Sequence, residues 1–339
     1  MRAAQFEECG DPESVLTVRE QPVPQPGPGQ VRVRMLASPI NPSDIMYVRG
    51  VYGRTPQLPA TPGFEGVGVV EESGGGLLGR LIVGKRVCTL TADGGAWAEY
   101  AVVDAKKAIP LPSSLTDEQG ATFFVNPATA LIMTRKVLAV PKGEWLLQTA
   151  AGSALGKMVI RLGAHYGFRT INVVRRTEKA DELKNLGADV VLVFDPERDS
   201  AEEFAKQVRE LTAGGVQYAI DPVGGATGSA VVESLGNQAS MLVYGTLSFE
   251  PLTFSPRALM GHLAGIRGFW LGPWMEQQSL PAKLRIVSEI KRLIASGILG
   301  TDVAESVPLD SIQTAVATAQ ESGREGKVLL QLGNGAVTG

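Results

Sequence analysis

From Trp145 onward the chain alternates between short apolar runs and longer amphipathic ones, and this alternation narrows the fold more than any other feature. Trp145–Gln148 reads as a strand, Ala151–Gly156 as a turn of small residues, Lys157–Gly167 as a helix and Thr170–Val174 as a second strand. The cycle continues through a helix over 177–186, a strand over 190–194, a helix over 201–211 and a strand over 217–220. A helix over 227–235 and a strand over 241–244 close it. Strands joined through helices predict a parallel sheet with right-handed crossovers.

The first third has a different texture. Val31–Met35 alternates as a half-buried strand does, Gly66–Val70 and Arg86–Leu90 are further strand candidates, and Ser73–Gly76 opens a flexible turn running to about Gly79. Pro22, Pro24, Pro26 and Pro28 mark an extended linker, because proline forbids helix there. The tail carries one helix, over 280–296, and a last strand, over 327–332. An α/β chain of 339 residues is therefore expected, with a β-rich domain at 1–121, a doubly wound parallel-sheet domain at 122–267, and a return to the first domain at 268–339. A formal net charge of −3 without a basic stripe gives no electrostatic reason to expect nucleic acid. No apolar run approaches the ~20 residues of a membrane span. Two cysteines cannot make a disulfide framework. Residues 1–6 show no signal-peptide pattern, and the expected location is cytoplasmic.

The turn after the strand at 145–148 has the setting of a dinucleotide-binding fingerprint, in which glycines permit a tight turn and the helix N-terminus holds the pyrophosphate. The three glycine positions hold Ala151, Ser153 and Gly156, with Gly152 as the flexible element and Ala154 and Leu155 between. The motif is weak in isolation; its strand–turn–helix context gives it weight. The second strand ends in Arg175 and Arg176, about 20 residues after Gly156, where an NAD enzyme carries an acid for the ribose hydroxyls. A guanidinium grips a 2′-phosphate, and no acid stands between Gly156 and Thr177, so NADPH is the expected cofactor. The plainer alternative is that both arginines are solvated surface residues.

Four segments now carry a resemblance. Ile40–Asp44 (INPSD), Pro62–Gly68 (PGFEGVG), Asn126–Ala130 (NPATA) and Gly326–Val328 (GKV) are spaced as in the medium-chain dehydrogenase/reductase superfamily, over nearly the whole chain. The resemblance implies a GroES-like catalytic domain joined to a Rossmann cofactor domain. Where zinc members hold the catalytic metal, this chain is similar at Asn41, Phe64 and Asn126, none of them a Cys or His ligand, so no metal is expected. His165 and His262 fall in unrelated contexts. Within the zinc-free branch the chain resembles the mitochondrial-type 2-enoyl-thioester reductases through Gly50–Gly53, Gln148–Ser153, Ile171–Arg175 and Arg267–Leu271, departing from their phosphate turn at Gly152 and Ala154. Quinone oxidoreductases are the runner-up, and a cofactor-binding protein without turnover is the third possibility.

That resemblance implies reduction of the C=C bond of an enoyl-CoA or enoyl-ACP by hydride transfer to the β-carbon. Tyr52 is the catalytic candidate: a phenol with a pKa of about 10 stays protonated at neutral pH and can donate to the developing enolate. Its alternative is packing under a loop, and Tyr47 is the control. Asn41 is expected to face nicotinamide or substrate, or else to form an Asx turn before Pro42. Asp44 is expected to cap the following helix, and Glu65 to form a structural ion pair. Asn126 and Thr129 are candidate nicotinamide contacts, and Tyr244 either a contact on the adenine side or a packing residue. Gly245 is expected to allow close backbone approach to the cofactor. Phe269 and Trp270 are expected beside the carboxamide, with core packing as the rival, and Lys327 at a cofactor phosphate. The implied partners are a small-molecule substrate and a second copy of the chain, joined sheet edge to sheet edge through 241–244 and 252–254.

Overall fold

The computed structural model describes residues 1–321 and 323–333. Along the first part run β1 (Arg2–Gln5), β2 (Thr17–Glu20), β3 (Gln30–Pro39), β4 (Glu65–Ser73), β5 (Arg86–Leu90), β6 (Tyr100–Asp104) and β7 (Ala108–Pro110). The middle holds β8 (Trp145–Gln148), β9 (Arg169–Val174), β10 (Val190–Val193), β11 (Val216–Asp221), β12 (Leu235–Val243) and β13 (Gly265–Gly268), and the tail adds β14 (Val303–Pro308) and β15 (Lys327–Gln331).

These strands build two units, Met1–Val125 with the tail from Thr301, and Asn126–Gly300. In the first, a sheet runs β14-β15-β3-β4-β5-β7, with β6 also paired to β3. Only β14–β15 is parallel; the remaining pairs are antiparallel. The alternation in β3 is literal, with Val31, Val33, Met35 and Ala37 buried and the residues between them partly exposed. Its inner face packs against Phe6, Val48, Trp97, Val328 and Leu330. The proline-rich segment carries no regular structure. The glycine turn does not remain loop to Gly79: a short helix forms at Leu77–Leu81.

The second unit is a parallel sheet in the order β10-β9-β8-β11-β12-β13. The order reverses at β8, so the doubly wound topology places a crevice at the carboxyl ends of β8 and its neighbours. Leu147, Ile171, Val173, Val216 and Met241 are buried in a core with Phe204 and Val208. Two strands of this sheet departed from expectation. β12 begins at Leu235, not at 241, because its first half (Gly236, Asn237, Gln238) is polar or glycine and gives no strand signal. β13 is flanked by glycines and escaped the alternation test. It takes the sheet edge, with β12 inside it, and residues 252–254 form no strand. The second unit also runs on to Gly300, so 268–300 pack with it. Tyr166 donates to Glu289 at 2.8 Å, Lys136 pairs with Glu289, and Arg161 donates to the carbonyl of Gly300 at 2.9 Å. These contacts hold the helix Leu280–Ala295 there.

Candidate functional site

In the first unit the chemistry gathers around Asn41, the N-cap of the helix Pro42–Val48. Asn41 is 2 % exposed. Its Oδ1 accepts from Lys327 Nζ at 2.7 Å and its Nδ2 donates to Glu65 Oε1 at 3.1 Å. Glu65 Oε2 accepts the backbone N–H groups of Phe124 and Val125, at 3.2 and 2.9 Å, where the helix Val125–Ile132 begins. That is the favourable end of a helix for a carboxylate. Asp44 Oδ2 accepts from the N–H of Asn41 at 2.8 Å, and Oδ1 from the N–H of Phe64 at 3.0 Å. One asparagine thus stands between a buried cation and a buried carboxylate.

Burial dominates the titration of this cluster. It lifts the Asp44 carboxyl to about 7, helped by the charge of Glu65 and opposed by the N–H of Asn41 and by Lys327. Burial also raises Glu65, against its hydrogen bonds, and pulls Lys327 down to about 8, aided by Arg324. Lys327, expected at a cofactor phosphate, has its ammonium engaged on Asn41 inside the domain. Glu65 meets amides rather than a direct ionic partner.

Tyr52 is half-buried, its ring 5.0 Å from that of Phe64. Tyr47 is in the core, edge-on to Phe6 and Phe64, with its hydroxyl on the carbonyl of Asp93 at 2.9 Å. The two tyrosines therefore differ in access, and Tyr52 has the solvent-facing share.

In the second unit the turn after β8 is tight and opens directly into a capped helix. Ala150 takes a positive φ of 49°, one residue before the first glycine position, and the buried Ala151 donates its N–H to Val173 at 3.1 Å. Ser153 caps the helix Ala154–Tyr166, its Oγ accepting from Gly156 N at 3.1 Å. The N–H groups of Ala154 and Leu155, in the first turn, have no acceptor within the helix. A Cβ on Gly156 would lie 2.5 Å from the carbonyl oxygen of Ala151, so this position excludes a side chain. Gly152 is partly exposed and has room, its nearest neighbour being the Lys179 side chain at 3.8 Å.

Arg175 and Arg176 are exposed beyond the end of β9. The plain absence of an acid along β9 proved incomplete: Asp195 and Glu197, from the loop after β10, stand 3.7 and 3.4 Å from the Arg175 guanidinium. Lys179 completes a cationic group on this side, paired with Glu182 at 3.4 Å. Sequence spacing missed these residues because they come from neighbouring elements.

Across the crevice Asp221, fully buried at the end of β11, bonds the Thr149 hydroxyl and accepts the N–H groups of Val223 and Gly224 at 3.0 and 2.9 Å. Gly245 is required by the protein itself, since a Cβ there would meet Pro222 O at 2.8 Å. Burial and the charge of Asp221 raise the Tyr244 phenol above its ordinary value. Phe269 is buried, its N–H on the carbonyl of Val243 at 2.8 Å, whereas Trp270 is 38 % exposed. On the helix Val125–Ile132, Asn126 is partly exposed and Thr129 buried. No group of three or more His, Cys, Asp or Glu suited to a metal ion occurs among the described residues.

The comparisons with known proteins fit this geometry. A GroES-like domain model of the alcohol dehydrogenases matches residues 27–113, and a zinc-binding dehydrogenase model matches 154–289. The human mitochondrial enoyl-[acyl-carrier-protein] reductase is 32% identical over 337 residues, covering 98% of this chain and 89% of that protein. A putative NADPH:quinone reductase from Bacillus thuringiensis superposes with a TM-score of 0.90 at 32% identity, over 97% of this chain and 98% of that one. Escherichia coli quinone oxidoreductase complexed with NADPH gives 0.88 at 25% identity, over 98% and 100%. With both domains matched in order and the likeness running almost end to end, the chain belongs to the medium-chain dehydrogenase/reductase superfamily, among its enoyl and quinone reductases.

Proposed function

We propose that this protein is an NADPH-dependent reductase of 2-enoyl thioesters. The observation that carries the reaction is Tyr52, a half-exposed phenol resting on Phe64, one residue before the buried Glu65 network. The residues of the second unit fit the cofactor. The capped N-terminus of the helix Ala154–Tyr166 suits a pyrophosphate, with Ala151, Gly152 and Ser153 supplying the turn and Gly156 the close packing. Arg175 and Arg176 suit the 2′-phosphate. Asn126, Thr129, Phe269 and Trp270 are the candidates for the nicotinamide end, and Tyr244 and Gly245 line the segment after β12.

When bound, NADPH supplies a hydride. As the β-carbon of the enoyl group is reduced, negative charge grows on the thioester oxygen, and Tyr52 donates its hydroxyl there and assists protonation of the α-carbon. Asn41 is the second candidate for a place beside the reacting groups, its amide oriented by Lys327 and Glu65. Tyr52→Phe should lower kcat with crotonyl-CoA about a hundredfold or more while leaving the NADPH dissociation constant unchanged. Unaltered turnover would remove Tyr52 from the reaction.

Quinone or enone reduction is the second reading, favoured by the 0.90 superposition on the Bacillus protein. NADPH oxidation measured side by side with crotonyl-CoA and a benzoquinone separates the two. Tight NADPH binding with neither acceptor consumed would favour a binding protein. A cytoplasmic location is our proposal, a reducing compartment with which the free thiols of Cys9 and Cys88 are compatible. We also propose a homodimer, paired through the β13 edge; no helix among the described residues is long and apolar enough to cross a membrane.

A further inference from the structure

We propose that Asp195, assisted by Glu197, is a specificity-determining residue that holds Arg175 in reserve and so tempers the preference for a 2′-phosphorylated dinucleotide. The inference rests on the cofactor reading above. Parallel pairing of Val193 with Val174 sets the ends of β10 and β9 side by side, which brings the two carboxylates to Arg175. Asp195 Oδ1 lies 3.7 Å from Arg175 Nε, and Glu197 Oε1 lies 3.4 Å from Nη2. The Asp195 contact is an ion pair beyond hydrogen-bond reach, the Glu197 contact is a long hydrogen bond, and the arginine side chain is 56 % exposed, so the fork is attracted without being locked.

Asp195 cannot swing aside in the same way. Its own N–H donates to Asp199 Oδ2 at 2.7 Å, and its Oδ1 accepts from the N–H of Glu197 at 3.2 Å. Its side chain is 18 % exposed, so its charge is only partly screened. A phosphate arriving at Arg175 must therefore displace one fixed carboxylate contact and then sit near that carboxylate. A second cation makes the exchange feasible: Arg198 Nε stands 3.8 Å from Asp195 Oδ2 and retains a charge partner for Asp195 once Arg175 turns away. A dinucleotide with a free 2′-hydroxyl brings no charge to be repelled and makes no such demand on Arg175, so the penalty falls on NADPH.

The test is titration calorimetry of the whole chain with NADPH and with NADH, at low and at physiological salt. Asp195→Asn keeps an oxygen for the Glu197 N–H and should tighten NADPH about three- to tenfold while moving NADH by less than about twofold. Glu197→Gln should act in the same direction and less, because Glu197 is 77 % exposed, and its effect should fade first as salt rises. NADPH affinity unchanged or weakened in Asp195→Asn, with the melting temperature and NADH affinity preserved, would overturn the proposal. If Asp195→Asn weakens both dinucleotides through the turn, Glu197→Gln decides: tighter NADPH supports the proposal and no change overturns it. Equal affinity of the native chain for both dinucleotides would sink the cofactor reading instead. In that case a preference created by Asp195→Asn would still support the role of the carboxylate, and none would overturn it.

Discussion

A buried charge is tolerable only with partners, and the residues around Asn41 show how narrowly that condition is met. Asp44, Glu65 and Lys327 are all nearly inaccessible, and two acids face one base. Burial holds the Asp44 carboxyl at about 7 instead of near 3.8. A folded-state value raised above the unfolded one means that the folded chain binds the proton more tightly. The stability this provides is complete below about 3.8 and is lost as pH rises through about 7. Asp44→Asn removes the titration. The native protein's margin over this variant in urea unfolding should accordingly shrink as pH is raised from about 4 to about 8. A margin that grows over that interval would mean that the ionised form is the stabilised one.

At the scale of elements, the turn between β8 and the helix Ala154–Tyr166 is decided by backbone packing. Gly156 faces the carbonyl group of Ala151, and neither can retreat without moving a strand or a helix. Gly156→Ala should destabilise the protein by about 1–3 kcal/mol and weaken NADPH, whereas Gly152→Ala, with open space around it, should be far milder. Equilibrium unfolding and dinucleotide titration of the pair would show it, and equal costs at the two positions would contradict the packing argument. The helix itself starts three residues earlier than its apolar pattern suggests, at Ala154. The Ser153 cap satisfies Gly156 N there, and small residues in a first turn give no periodic signal.

For the whole molecule the decisive feature is the return of the tail. β15 lies between β14 and β3, inside the sheet of the first unit, and Val328, Leu329 and Leu330 are fully buried. The first unit is therefore closed by residues about 200 positions downstream of its own last strand, a long loop whose closure entropy grows only slowly with length. The second unit is contiguous, from Asn126 to Gly300. Residues 126–300 expressed alone should fold cooperatively and bind NADPH. A chain ending at Gly300 should keep that transition and lose the structure of 1–125, as circular dichroism and proteolysis would reveal. An intact first unit in the truncated chain would refute the closing role of β15.

The sequence by itself determined the alternation of strands and helices from Trp145, the turn of small residues with Gly156 at its packing position, the cationic end of β9 and the family motifs, because each is local and shows within a few residues. Tertiary structure alone decided the rest. β13 at the sheet edge, the placement of 268–300 in the second unit, Lys327 on Asn41 and Asp195 beside Arg175 all arise from pairing between distant elements. A side chain's charge is written in its own letter, but which opposite charge it meets depends on strand order and register, and those are settled only when the sheets assemble.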